Sequence, residues 1–121
     1  MYEISVRKHF DAAHYLRDYG GKCETMHGHR FEVVVVAQAD ELNEIGLAFD
    51  FTELKKHLND VLNRFDHVCL NDLEPFITTN PSSENIARTI YSELIKNVTE
   101  VMIARVEVWE SPDSRAAFIP S

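Results

Sequence analysis

The chain has 121 residues, 45% of them apolar, and a formal net charge of −8. That length predicts one domain over residues 1–121, with enough apolar material for a core but little room to enclose a large pocket alone. A ligand cleft is therefore expected to be shared between subunits. The acidic balance argues against nucleic acid and against an anionic membrane as partners, and no run approaches the roughly 18 apolar residues of a membrane span. The alternating start Met1-Tyr2-Glu3-Ile4-Ser5-Val6 is unlike the apolar core of a signal peptide. Two cysteines, Cys23 and Cys69, make no disulfide framework, so a cytoplasmic protein with free thiols is expected.

In chain order, residues 2–10 alternate as a strand, with Ile4 and Val6 on one side. A polar loop around Asp18–Lys22 follows, then the β-branched run Phe31–Ala37, a second strand. Residues 40–46 turn at Gly46. From Phe51 the period becomes helical, with Phe51, Leu54, Leu58, Val61, Leu62 and Phe65 on one face. Asn80-Pro81-Ser82-Ser83-Glu84 reads as a second helix start, with either Asn80 or Ser82 as the cap and the proline in the first turn. Its apolar stripe comprises Ile86, Ile90 and Leu94, with Ala87, Tyr91 and Val98 beside it. Val101–Trp109 and Arg115–Ile119 complete a ββααββ order, an α+β domain whose antiparallel sheet carries two helices on one face.

Three of six histidines are placed suggestively. His27 and His29, two apart on an extended backbone, point to the same side, and hairpin pairing can bring His14 alongside. Three neutral imidazoles without a fourth protein ligand describe a catalytic zinc site, Zn²⁺ with an open position; chance spacing is the alternative. Cys23, four residues before His27, is a proton acceptor near a metal-bound substrate, a structural thiol or a fourth ligand. Asp66-His67 after the first helix has the composition of a proton relay. On the last long strand Met102, Ala104, Val106, Val108 and Glu110 share parity. Glu110 then ends an apolar face, where it could grip two parallel N–H groups of a heterocycle, unless the strand stops before it.

Six ordered segments resemble the 6-pyruvoyltetrahydropterin synthase family, in its 6-carboxytetrahydropterin synthase branch. They are Phe10-Asp11-Ala12-Ala13-His14, Cys23-Glu24-Thr25-Met26-His27-Gly28-His29, Asp50-Phe51-Thr52-Glu53-Leu54-Lys55, Asp66-His67-Val68-Cys69-Leu70-Asn71, Asn80-Pro81-Ser82-Ser83-Glu84-Asn85 and Trp109-Glu110-Ser111. Ser82 and Ser111 stand where threonine is usual in the family. Three residues between Cys23 and His27 match the carboxy-forming branch, whereas the pyruvoyl-forming branch is similar with five. A dihydroneopterin-cleaving branch of folate synthesis offers a glutamate in this loop, a position Glu24 could fill.

The resemblance implies a tunnelling fold assembled as a homohexamer of two trimeric rings, with active sites at subunit interfaces. It implies zinc on His14, His27 and His29, catalysis by Cys23, Asp66 and His67, and pterin binding by Glu110 with Ser82 and Ser83. It further implies conversion of 7,8-dihydroneopterin triphosphate to 6-carboxytetrahydropterin, acetaldehyde and triphosphate, toward queuosine. A non-catalytic zinc or pterin binder is the competing class. Residues 1–30 carry five Lys and Arg against four Asp and Glu, while residues 32–121 carry seven against sixteen. The histidine cluster thus lies in the mildly positive part, where Lys22, Arg30 and Arg115 are candidates for the phosphates.

Overall fold

A computed structural model describes residues 1–21 and 24–121. Strands β1 (Tyr2–His14) and β2 (His27–Ala39) form a long antiparallel hairpin. Helices α1 (Phe51–Leu62) and α2 (Ser83–Leu94) follow, with a short 3₁₀ turn at Leu70–Asp72 between them. Strands β3 (Met102–Ser111) and β4 (Ser114–Phe118) complete a four-stranded antiparallel sheet in the order β1-β2-β3-β4. The ββααββ α+β reading therefore holds, although both hairpin strands run farther than the apolar alternation alone suggested.

One face of the sheet builds the core. Val6, Phe10 and Ala12 of β1, Phe31, Val33, Val35 and Ala37 of β2, and Ile103, Val106 and Val108 of β3 pack with Leu54, Leu58 and Leu62 of α1 and Ile86, Ile90 and Leu94 of α2. The β-branched run suits β2 because such side chains stand well on a pleated surface flanked by two strands. Asp50 caps α1, its carboxylate accepting from the Thr52 N–H at 2.8 Å. Phe51, at the helix start, is half exposed instead of buried, and Phe65 reaches the core from the turn beyond Leu62.

Ser82 is the cap of α2; its hydroxyl accepts from the Asn85 N–H at 3.2 Å. Pro81 consequently precedes the cap and is not in the first turn. Asn80 bonds instead to the backbone of Arg17, through both its oxygen and its nitrogen.

The parity read along β3 needs one correction. Val36 pairs with Arg105 but Ala37 pairs with Ile103, so Ala104 is an extra residue, a β-bulge. Ile103 therefore lies in the core and Met102 is exposed, the reverse of strict alternation. From Val106 to Trp109 the expected phase is correct, and the strand continues to Ser111, with Glu110 an extra residue in the pairing with β4.

Candidate metal centre and proton relay

The register of the hairpin builds the centre. His14 lies opposite His27, Ala12 opposite His29, and Phe10 opposite Phe31. Because side chains alternate along a strand, His14, His27 and His29 continue the same face as Phe10, Ala12 and Phe31. The three imidazoles are thus the last rungs of the core. Their ring centroids are 4.7 Å apart for His14–His27 and His27–His29, and 5.5 Å for His14–His29. Glu110 joins them from β3, with Oε1 3.2 Å from His29 Nε2 and Oε2 3.9 Å from His14 Nε2. One donor atom from each of the four falls within 4.8 Å of the others.

Two of the rings are turned by backbone carbonyls. The Nδ1–H of His14 donates to the Pro81 carbonyl at 2.8 Å, and that of His27 to the Thr25 carbonyl at 2.6 Å. Each bond leaves Nε2 as a lone pair aimed into the cluster. Metal-ligating histidines are commonly fixed in this way by an outer partner. Burial pushes the His14 pKa below its ordinary value despite the Pro81 carbonyl, so this ring is held neutral.

The Nε2 atoms of His14 and His29 are buried without a hydrogen-bond partner among the described residues. For His14, whose Nδ1–H is spent on Pro81, the Nε2 lone pair 3.9 Å from Glu110 is acceptor against acceptor, an arrangement that costs free energy unless a cation lies near. The donor set therefore fits a divalent metal, with nitrogen ligands suited to zinc.

Asp66 and His67 sit in the segment running along the open edge of β1. The Asp66 Oδ2 lies 2.9 Å from His67 Nδ1, and its Oδ1 accepts from the Asp11 N–H at 2.9 Å. The His67 N–H donates in turn to the Asp11 carbonyl, and the Ala13 N–H to the Val68 carbonyl. The Asp11 amide and, secondarily, His67 hold the Asp66 carboxyl below the usual carboxylate range against a smaller desolvation effect. His67 has φ 59°, a left-handed conformation that costs a non-glycine residue roughly 1–3 kcal/mol.

Asp11 and Ala13 alternate with Ala12 and His14. The backbone bonds of Asp11 and Ala13 lie in the sheet plane and set no face. The Asp11 carboxylate, which alternates away from the histidine cluster, lies within 4.8 Å of the Asp66 and His67 donor atoms and so places the pair on the opposite face of the hairpin. The His67 imidazole is 77% exposed, open to a molecule outside the chain.

The other expected residues are placed as follows. Cys23 and Lys22 lie outside the described residues. Ser82 is committed as a helix cap and Ser83 opens α2, both immediately after the Pro81 carbonyl that turns His14. Glu24 accepts from the Gly20 N–H at 2.8 Å within its own loop. Arg30 is paired with Asp11, Nε to Oδ1 at 3.0 Å, and Arg115 lies over the Trp109 ring.

Sequence reasoning missed Asp11, quoted Asn71 without giving it a task, and offered Asn80 only as a candidate helix cap. It also missed the Pro81 and Thr25 carbonyls, which have no side-chain signature at all.

The pattern of the 6-pyruvoyl tetrahydropterin synthase family matches residues 3–120. The chain belongs to the 6-pyruvoyl tetrahydropterin synthase family. A family member from Synechocystis named 6-carboxy-5,6,7,8-tetrahydropterin synthase is 37% identical over 123 residues, covering 98% of this chain and 93% of that protein. A protein from Pyrococcus furiosus named dihydroneopterin monophosphate aldolase is also 37% identical, over 108 residues and 88% of each chain. The solved structure of Caenorhabditis elegans 6-pyruvoyl tetrahydropterin synthase superposes with a TM-score of 0.90 at 27% identity, covering 99% of this chain and 96% of that one. The four-stranded sheet with two helices is thus the tunnelling fold of this family.

Proposed function

We propose that this chain is a zinc-dependent 6-carboxytetrahydropterin synthase, a cytoplasmic lyase. It would convert 7,8-dihydroneopterin triphosphate and water to 6-carboxy-5,6,7,8-tetrahydropterin, acetaldehyde and triphosphate, a step toward queuosine and other deazapurines. The observation that carries the reading is the convergence of His14, His27 and His29 with two buried, unpartnered Nε2 atoms beside a carboxylate.

His14, His27 and His29 would hold the metal. A zinc ion there would supply Lewis acidity toward the side-chain oxygens of the substrate. Glu110, about a third exposed, offers two oxygens to the 2-amino group and ring N–H of the pterin, fixing the reacting carbons beside the histidines. Ser82 and Ser83 flank the same region and would contact the substrate. Cys23 takes a proton from the substrate side chain as thiolate. His67 works from the other side: its Nδ1–H is engaged by the ionised Asp66, so Nε2 is the atom that gives or takes the proton.

Because the relay is anchored on the opposite hairpin face from the cluster, His67 would serve the site of an adjoining copy. The outer edge of β4 has no partner strand among the described residues, and the segment 67–69 follows β1 only near Asp11 and Ala13. These edges support strand pairing between subunits in rings, two trimers stacking as a hexamer.

The Pyrococcus furiosus relative keeps a second reading in view, cleavage of the dihydroneopterin side chain. Incubating the metal-loaded protein with 7,8-dihydroneopterin triphosphate, and separately with the monophosphate, separates the two. Acetaldehyde with carboxytetrahydropterin supports the synthase. A glycolaldehyde that keeps the phosphates, with a 6-hydroxymethyl pterin, marks the cleaving activity; a pyruvoyl pterin marks the third branch, and no turnover of either substrate with zinc in place marks a binder.

A further inference from the structure

His14 is the last residue of β1 that faces β2; beyond it the chain has lost that partner. Residues 15 and 17 nevertheless find substitutes for a neighbouring strand. The Tyr15 N–H donates to Asn71 Oδ1 at 3.0 Å, and Asn71 Nδ2 donates back to the Tyr15 carbonyl at 3.0 Å. The Arg17 N–H donates to Asn80 Oδ1 at 2.9 Å, and Asn80 Nδ2 to the Arg17 carbonyl at 3.0 Å. Each side-chain amide thus imitates a peptide group, one acceptor and one donor, on alternate residues as a strand would. Together with Ala13 N–H bonded to Val68, the pattern brackets His14 on both sides.

The same clamp reaches the imidazole. Asn80 directly precedes Pro81, whose carbonyl accepts from His14 Nδ1. Asn85 fastens this stretch to α2, its Nδ2 donating to the Asn80 carbonyl at 2.9 Å. We propose that Asn71 and Asn80 are positioning residues for the metal centre, setting the backbone and ring of His14 so that its Nε2 meets those of His27 and His29.

Tyr15 and Arg17 are only half-buried, so water could satisfy their peptides. What water cannot do is hold one histidine between two fixed points. Aspartate at either position would keep the acceptor for the N–H but turn an oxygen toward the carbonyl. The inference rests on the reading of the three histidines as metal ligands.

The test uses the full-length protein with Co²⁺, its affinity measured by chelator competition and its coordination by the d–d absorption spectrum. Asn80→Asp and Asn71→Asp should each weaken Co²⁺ binding by about 10–100-fold, the usual cost of losing an outer partner of a ligand. Their spectra should depart from that of the wild type. Ile90→Val, a core truncation on α2, lowers the melting temperature and should leave Co²⁺ affinity and spectrum unchanged. If Asn71→Asp does not fold, Asn80→Asp on the half-buried residue decides.

Wild-type affinity and spectrum in the aspartate variants would overturn the inference while leaving the metal reading intact. So would an equal loss of affinity in Ile90→Val. Wild-type protein that takes up no Co²⁺ would overturn both.

Discussion

Phe31 meets His14 edge to face, ring centroids 5.2 Å apart and planes at 89°. The same phenyl ring touches His29 at 5.7 Å and stacks on Phe10 at 5.0 Å. It is fully buried, so one side chain is both core and wall of the candidate centre. Phe31→Ala should cost about 3–5 kcal/mol, the usual range for truncating a buried phenylalanine. Urea unfolding of the metal-free protein measures it, and a loss below about 1 kcal/mol would mean the site collapses around the gap.

Glu110 separates two chemistries. As a pterin anchor its replacement by glutamine removes a charge-assisted contact worth about 1.5–3 kcal/mol, so KM should rise by roughly 10–100-fold. The metal content of Glu110→Gln should match that of the wild type. If the variant is purified without its metal, the carboxylate is a ligand instead of an anchor.

Asp66→Asn tests the relay, with kcat expected to fall by about 10²–10⁴-fold. The variant also has a pH signature. The Asp66 carboxyl is held low in the folded chain, so its stabilising contribution is present above the unfolded carboxyl's pKa of about 4. It is lost as pH falls through the lower, folded value. The gap in urea midpoint between wild type and Asp66→Asn should therefore be widest near neutrality and narrow as the solution is acidified below about pH 4. A gap that does not change with pH would show that the carboxylate charge contributes nothing to the fold.

Cys23→Ala should retain metal and bind pterin while losing turnover, by about 10²–10⁴-fold for a lost acid–base group. Metal analysis beside a steady-state assay distinguishes the roles. Loss of zinc from this variant would make Cys23 a ligand.

Much of the centre was legible because strands have a period of two. His27 and His29, two apart on a strand, share a face, and a hairpin could return His14 beside them, as the register His14 opposite His27 does. Glu110 was legible for the same reason, from the parity of Val106 and Val108. Helix starts were legible in kind but not in detail: Asn80 and Ser82 are equally good caps by composition, and only the fold shows that Asn80 is occupied by Arg17. The bulge at Ala104 was not legible, since alanine fits either phase of a strand and nothing local marks the insertion. Nor were the carbonyls of Pro81 and Thr25, because every residue has one. The partnership of Asp11 with the relay runs through its backbone, across more than fifty residues.

That inserted alanine also separates two demands that β3 must meet at once. Upstream of it Ile103 fills the core, and downstream Glu110 faces the histidines; an uninterrupted strand would put these odd and even positions on opposite sides. Drawing Ala104 into the ladder at unchanged chain length would leave β3 only two outcomes. Either Ile103 rotates out to solvent and Met102 takes its place inside, or the far half slips and presents Trp109 to the cluster while the carboxylate turns to the opposite face. Removing Ala104 altogether does neither: six steps then separate Ile103 from Glu110, an even number, so a regular strand keeps the core residue and the carboxylate on one side.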